Sequence, residues 1–188
     1  MATKVPKEHP LVRLFASLTE ENFAEHLGWP DGEVIGYVTE ILTDFVHVDQ
    51  LYKIRSAQGE RVEEVAEMLA EGDLSHRAES VEREREVHRH IGDYTLFMAG
   101  LCPEFLRRLK SSKVMISPDA LLDYIQVGKR SYHIVSEFTY GQYEEFAPLF
   151  RKLSENFELC VYGLGYVRAD LDRLRDPRFQ TLKGHLLG

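Results

Sequence analysis

The sequence predicts an all-α protein, organised as a single-domain bundle of about eight helices without a significant sheet. The first supporting observation is that apolar residues recur every three or four positions along most of the chain. The second is that these patterns begin and end at residues typical of helix caps. The third is that strand-like composition is confined to residues 114–116, Val-Met-Ile, a run too short to build a sheet.

The first part of the chain contains helical patterns that end at glycine. Residues 9–18 predict a short amphipathic helix, and Thr19 is expected to cap a second short turn that Gly28 closes. Asp31 is expected to cap the next helix, over residues 33–52. The apolar positions of that helix step alternately by four and three residues, as in a coiled-coil seam, which predicts a central helix. These positions are Val34, Val38, Ile41, Phe45, Val48 and Tyr52.

A further amphipathic helix is predicted over residues 62–69, and a longer one follows from about residue 74 to Gly100. Nearly every residue in 79–89 is charged, as on a helix surrounded by solvent. Nearly every residue in 94–101 is apolar or small, as on a helix buried on all sides. The long helix is therefore expected to pass from the surface into the core.

Proline and serine mark the helix boundaries that follow. Pro103 cannot continue the long helix, and it suits the first turn of a short helix over residues 104–110. Residues 117–119, Ser-Pro-Asp, are typical of a helix start, and the helix that they begin is predicted to reach about Phe138.

The last part of the chain predicts two more helices. Thr139 and Gln142 have capping-box spacing ahead of an apolar pattern in the next helix. Residues 157–175 carry a second seam that steps by four and three residues. Gly163 and Gly165 each cost that helix about 1 kcal/mol relative to alanine. We interpret both glycines as positions where a neighbouring backbone comes close.

Composition and charge limit the function. One domain is expected over residues 1–188, with residues 1–8 and 177–188 poorly ordered. The net charge of −8 repels a nucleic-acid backbone, so nucleic acid is not an expected partner. The chain has no signal-peptide pattern and no apolar run of membrane-spanning length, which predicts a cytoplasmic protein without a membrane partner. Cys102 and Cys160 lack metal-ligand spacing and are expected to be buried thiols.

Three groups of carboxylate and imidazole side chains share helical faces. Helical bundles build metal sites by projecting such side chains inward from facing helices, and this donor set suits iron, manganese or zinc. The Glu-x-x-His motif of dinuclear carboxylate sites is absent from the sequence. A metal site and ordinary solvated faces therefore stay open as alternatives. The groups are Glu40, Asp44 and His47; Glu86, His90 and Asp93; and His133 with Glu137.

Gly92 and Asp93 break the pattern of the long helix, because glycine weakens a helix and a carboxylate is costly at the edge of a buried run. Such breaks are expected at functional or strained sites. One interpretation is structural: Gly92 admits a crossing helix, and Asp93 ties that helix by a buried ion pair. The other is a ligand-binding site, with His90, Asp93, Arg130 and Tyr132 as its candidate residues.

Residues 88–108 and the segment Asp-Tyr-Ile-Gln-Val-Gly-Lys-Arg-Ser-Tyr at residues 123–132 resemble a family of bacterial helical proteins. The family has a similar length and no established activity. The resemblance implies a compact helical fold and supplies no reaction, cofactor or substrate. Aromatic residues are common in that family at the positions of Met98 and Cys102. This chain departs there, which argues against a catalytic role for Cys102.

Two functional hypotheses follow. The first is a cytosolic binding or regulatory module without catalysis of its own, because no complete catalytic constellation can be assembled from the sequence. Its partner is an unidentified protein or small-molecule ligand. The second is a metal- or small-ligand-dependent protein, including an enzyme, with its site at His90 and Asp93. A homodimer is left open under both hypotheses.

Overall fold

The structure, a computed structural model, describes residues 6–73, 80–109 and 120–188. These ranges contain ten α-helices and no strand, with one isolated antiparallel bridge between Arg55 and Arg61, so the predicted all-α fold class is confirmed. The predicted strand-like run at 114–116 and helix start at 117–119 lie outside the described residues. The helices are α1 (Pro10–Glu20), α2 (Gly32–Phe45), α3 (Val48–Leu51), α4 (Val65–Gly72), α5 (Val81–Leu101), α6 (Pro103–Leu109), α7 (Ala120–Ser136), α8 (Ala147–Glu155), α9 (Phe157–Arg173) and α10 (Pro177–Leu187).

Helix α5 lies at the centre of the bundle, where it packs against α2, α4, α7 and α9. It begins at Ser80, whose hydroxyl accepts a hydrogen bond from the backbone N–H of Arg83 at 3.1 Å. Every residue from His90 to Leu101 is buried. The predicted passage from the surface into the core is therefore confirmed, and α5 occupies the central position that the seam over residues 33–52 was expected to fill.

The predicted helix over residues 33–52 is divided in two. Asp31 caps α2 as predicted, accepting from the backbone N–H groups of Glu33 and Val34 at 3.1 and 3.2 Å. The helix ends at Phe45, and α3 begins after His47, whose backbone is extended. After the break, the backbone carbonyl of Leu51 accepts a hydrogen bond from the imidazole Nε2 of His90 at 2.9 Å.

Two predicted caps are absent. Thr19 is buried inside α1, which continues directly into a π-helical turn at Glu21–His26. Gly28 closes that turn as predicted, with a φ of +64° that suits glycine. Thr139 caps no helix, because a 3₁₀ turn at Gly141–Tyr143 separates it from α8.

Residues 177–187, which the sequence analysis expected to be poorly ordered, form helix α10 in the structure. The carboxylate of Asp176 accepts hydrogen bonds from the backbone N–H groups of Arg178 and Phe179 at 3.1 and 3.0 Å, and so caps the helix. Phe179 and Leu182 are buried against the rest of the bundle. None of the described helices combines the length and the apolar character that crossing a membrane requires.

The two glycines of α9 have different surroundings. A Cβ at Gly163 would lie 2.5 Å from the ring of Phe23, so a side chain, rather than the predicted backbone, comes close there. A Cβ at Gly165 would meet no described atom within 4 Å. Packing within the molecule therefore accounts for Gly163 and leaves Gly165 unexplained.

Candidate functional site

Asp93 lies in a buried hydroxyl network that joins three helices. Its Oδ1 accepts hydrogen bonds from the hydroxyl groups of Tyr37 on α2 and Tyr132 on α7, at 2.7 and 2.8 Å. Arg89, one turn before Asp93, donates from Nε to the Tyr37 hydroxyl at 2.9 Å and lies 3.9 Å from Asp93 Oδ2. Asp93 therefore joins α5 to α2 and α7 through two hydroxyl hydrogen bonds, not through the predicted ion pair, because Arg89 lies on α5 itself.

Gly92 makes this network possible. A Cβ at Gly92 would lie 2.4 Å from the ring of Tyr132, so only glycine lets that ring pack directly on α5. The interpretation that Gly92 admits a crossing helix is therefore confirmed. Sequence analysis missed Tyr37, because its place on an apolar helix face does not distinguish it from an ordinary core aromatic residue.

Burial governs the protonation of the network. Burial raises the pKa of Asp93 above its ordinary value, and the charge of Arg89 together with the two hydroxyl donors opposes this increase. Burial also raises the pKa values of Tyr37 and Tyr132 well above the ordinary value, and the nearby Asp93 carboxylate adds to the effect. Both phenols therefore remain hydrogen-bond donors at neutral pH.

We expect Asp93→Asn to lower the free energy of unfolding by about 2 kcal/mol in urea titrations at neutral pH. The amide removes the negative charge next to Arg89 and turns N–H donors towards that guanidinium. Glu86→Gln on the same helix is the control, because Glu86 is exposed and its ion pair among the described residues is with Arg83, at 3.4 Å. That change is expected to cost at most about 0.5 kcal/mol. Equal stability of Asp93→Asn and the wild-type protein would show that the network does not stabilise the fold.

The remaining predicted ligand residues do not join Asp93. Neutral His90 donates from Nε2 to the carbonyl of Leu51, and its ring packs on Phe45 and Tyr94. Its Nδ1 is buried and has no hydrogen-bond partner among the described residues. Arg130 is exposed. Of the four candidates His90, Asp93, Arg130 and Tyr132, the structure therefore brings together only Asp93 and Tyr132.

The predicted metal ligands are not assembled. Asp93 is engaged by tyrosyl hydroxyls and His90 by α3, while Glu86, on the same face of α5 but nearer the start of the helix, is exposed. On α2 and α3, Asp44 and His47 are exposed. Across residues 6–73, 80–109 and 120–188, no group of three histidine, cysteine, aspartate or glutamate residues is placed to hold a metal ion. The hypothesis of an iron, manganese or zinc site built from Glu40, Asp44, His47, Glu86, His90 and Asp93 therefore has no support in this geometry.

A cleft of about 620 Å³ opens beside the Asp93 network. Its walls are α2, the surface half of α5, the segment before α8, and α8 itself. Arg85 and Arg89 reach it from α5, and Tyr143 and Phe150 supply aromatic surface. Tyr37 lines the cleft too, so its hydroxyl connects the cleft to Asp93.

No ion pair is seen between Arg85 and a carboxylate of the residues that the structure describes. The guanidinium of Arg85 lies over the ring of Tyr143 at 4.2 Å and near the ring of Phe150 at 5.6 Å. Its Nε is buried and has no hydrogen-bond partner among the described residues. Burial lowers the pKa of Arg85, and the positive charge of Arg89 lowers it further. An anion in the cleft would accept a hydrogen bond from Nε, and its charge would offset the repulsion between Arg85 and Arg89.

Sequence analysis did not single out Arg85, because it belongs to a run of alternating charges that is typical of a solvated helix face. Comparisons with protein-family models, with curated proteins and with solved structures returned no match. The chemistry of the cleft is therefore assigned from its own residues.

Proposed function

We propose that this protein is a binding module that holds a small organic anion in the cleft between α2, α5 and α8. One observation carries the proposal: the guanidinium of Arg85 lies over the ring of Tyr143 and near that of Phe150, and its Nε is buried without a hydrogen-bond partner among the described residues. This agrees with the expectation of a ligand-binding helical module and moves the site away from His90.

The two arginines of the cleft favour an anion beside them. A buried donor without an acceptor costs about 1–3 kcal/mol, and more when the donor is charged, so a ligand acceptor recovers that free energy. Arg89 lies one turn further along α5 and is held by the hydroxyl of Tyr37 at 2.9 Å. Two adjacent guanidinium groups can bind a carboxylate or phosphate through charge-assisted hydrogen bonds.

The shape and rim of the cleft narrow the class of ligand. Its volume, about 620 Å³, is typical of small-molecule sites. Tyr143 and Phe150 offer flat apolar surface beside the arginines, which suits a ligand with an aromatic or apolar body. Glu33, Glu40 and Glu145 also line the cleft, and their negative charges disfavour ligands with several anionic groups. A monoanion with an apolar body fits best.

Calorimetric titration with benzoate, phenyl phosphate and neutral benzamide tests this proposal. Benzoate is expected to bind and benzamide to bind at least tenfold more weakly, because a charged hydrogen bond contributes about 1.5–3 kcal/mol. Comparing benzoate with phenyl phosphate distinguishes a carboxylate site from a phosphate site. Arg85→Gln is expected to weaken benzoate binding by about 10- to 100-fold.

Two further variants separate binding from folding. Gly36 lies on α2 at the cleft, and a Cβ there meets no described atom within 4 Å. Gly36→Leu should therefore fill the cleft and abolish binding without disturbing the helix. Arg83→Gln removes a charge from the same helix outside the cleft and should leave binding unchanged. Equal binding of benzoate and benzamide, or full binding by Arg85→Gln, would contradict the proposal.

A further inference from the structure

Helix α9 carries an exposed face without charged residues over its middle turns. Its members are Tyr162, Gly165, Tyr166 and Ala169, which share one side of the helix and are all exposed. Its two aromatic side chains present large surfaces to solvent, since Tyr162 is 61% exposed and Tyr166 is 38% exposed. We refer to these four residues as the α9 face. Tyrosine is enriched at protein interfaces relative to the rest of the surface.

The aromatic residues of the α9 face are held in place. Tyr166 stacks on His26 of the π-helical turn at 5.4 Å and meets the ring of Tyr162 edge-on at 5.2 Å. The two tyrosyl hydroxyls lie 3.3 Å apart. Rigid tyrosines provide contact area with little loss of side-chain entropy on binding. The face is therefore organised before any partner arrives.

We propose that the α9 face pairs with the α9 face of a second copy of this chain, with the two helices antiparallel. In a twofold interface, residue i of one copy contacts residue j of the other, and j contacts i. An axis between Gly165 and Tyr166 places Tyr166 opposite the partner's Gly165 and Tyr162 opposite the partner's Ala169. Each large side chain then faces a small one, and Gly165, which packing within one copy leaves unexplained, receives a neighbour.

Charge complementarity at the ends of α9 fixes the direction of pairing. The same axis places Glu158 opposite the partner's Arg173, whereas a parallel pair would place Glu158 opposite the partner's Glu158. Within one copy, Lys129 bonds Glu158 at 2.7 Å and Asp170 bonds Arg173 at 2.7 Å. In the antiparallel arrangement, the Lys129–Glu158 pair of one copy therefore lies next to the Asp170–Arg173 pair of the other copy at each end of the contact. Like charges placed opposite each other would cost stability, so only the antiparallel register is favourable.

The length of the contact suits a reversible dimer. Residues 158–173 span about 22 Å at the rise of an α-helix, which is a single helix-to-helix contact. Such a contact predicts a dimer whose population depends on protein concentration. The α9 face shares no residue with the anion cleft, so this inference stands independently of the proposed function.

Sedimentation velocity over a concentration series of the full chain tests the pairing. Wild type is expected to show a concentration-dependent dimer. Glu158→Arg alone and Arg173→Glu alone each place like charges opposite each other, and each should weaken dimerisation by at least about tenfold. An equimolar mixture of the two variants restores opposite charges at both ends and should form dimers again, as should the double charge swap.

Control measurements make each outcome decisive. Glu67→Arg on α4 makes the same charge change at an exposed position away from α9, and it should leave the dimer intact. Circular dichroism melts should show that all variants fold, because the exchanged side chains are exposed or half-buried. A wild-type monomer at every concentration would overturn the inference. So would single variants that dimerise like the wild type, or single variants that stay monomeric when mixed.

Discussion

Gly92→Ala is expected to lower the free energy of unfolding by about 3 kcal/mol, because it overpacks the core between α5 and α7. The added Cβ would lie 2.4 Å from Cε1 and 2.5 Å from Cδ1 of Tyr132. The ring of Tyr132 cannot move aside easily, since it packs against Phe150 and Phe157 and its hydroxyl bonds Asp93. Urea denaturation of the purified variant measures the loss.

A matched glycine provides the control for this prediction. Gly36 also lies inside a helix, but a Cβ there meets no described atom within 4 Å. Gly36→Ala should therefore raise stability by up to about 1 kcal/mol through helix propensity alone. In a Tyr132→Ala background, the cost of Gly92→Ala should largely disappear, because the clashing ring is gone. An additive double mutant would show that the cost arises elsewhere.

The second large effect is a loss of stability in mild acid. Burial lowers the pKa of His88 to about 4, and the charge of Arg130 contributes. Burial lowers the pKa of His90 to about 3, and the charge of Lys53 contributes. Both histidines take up protons near pH 6.5 when the chain unfolds. Their contribution to stability is therefore complete above about pH 6.5 and is lost as the pH falls towards 4, by up to about 1.4 kcal/mol per pH unit for each histidine.

Urea titrations between pH 7.5 and about 4.5 measure this dependence. The raised pKa of Asp93 acts in the opposite direction at the acidic end, because the folded state then binds a proton before the unfolded chain does. His90→Gln keeps an amide N–H that can reach the carbonyl of Leu51, and His88→Asn keeps a polar atom near the hydroxyl of Ser131. The double variant is expected to lose most of the slope between pH 6.5 and 5. A slope equal to that of the wild type would assign the acid sensitivity to other groups.

The local sequence pattern was sufficient to predict those helices whose capping residues and apolar periodicity lie within a few residues of one another. The transition of α5 from charged to apolar residues predicted its path into the core, and Asp31 predicted the start of α2 through its bonds to Glu33 and Val34. Pro103 likewise predicted the start of α6. These signals are reliable because helical periodicity and capping depend on side chains one turn apart.

The sequence was misinterpreted where the structure of a segment depends on packing against another part of the bundle. Thr19 has the chemistry of a cap, but burial in α1 overrides that preference. Phe179 and Leu182 form too short an apolar pattern to predict a helix, and burial against the bundle is what organises α10. After the break between α2 and α3, Leu51 bonds His90, a residue far away in the chain that helical periodicity cannot relate to it.

The sequence by itself determined that this protein is helical, that α5 enters the core, and that Gly92 and Asp93 are exceptional positions. Only the tertiary structure decided what those positions do, since Tyr37 and Tyr132 converge on Asp93, and only it placed Arg85 over the ring of Tyr143 and near that of Phe150. The reason is geometric. Helical spacing specifies which residues share a face, whereas the identity of the facing helix depends on packing between segments distant in sequence.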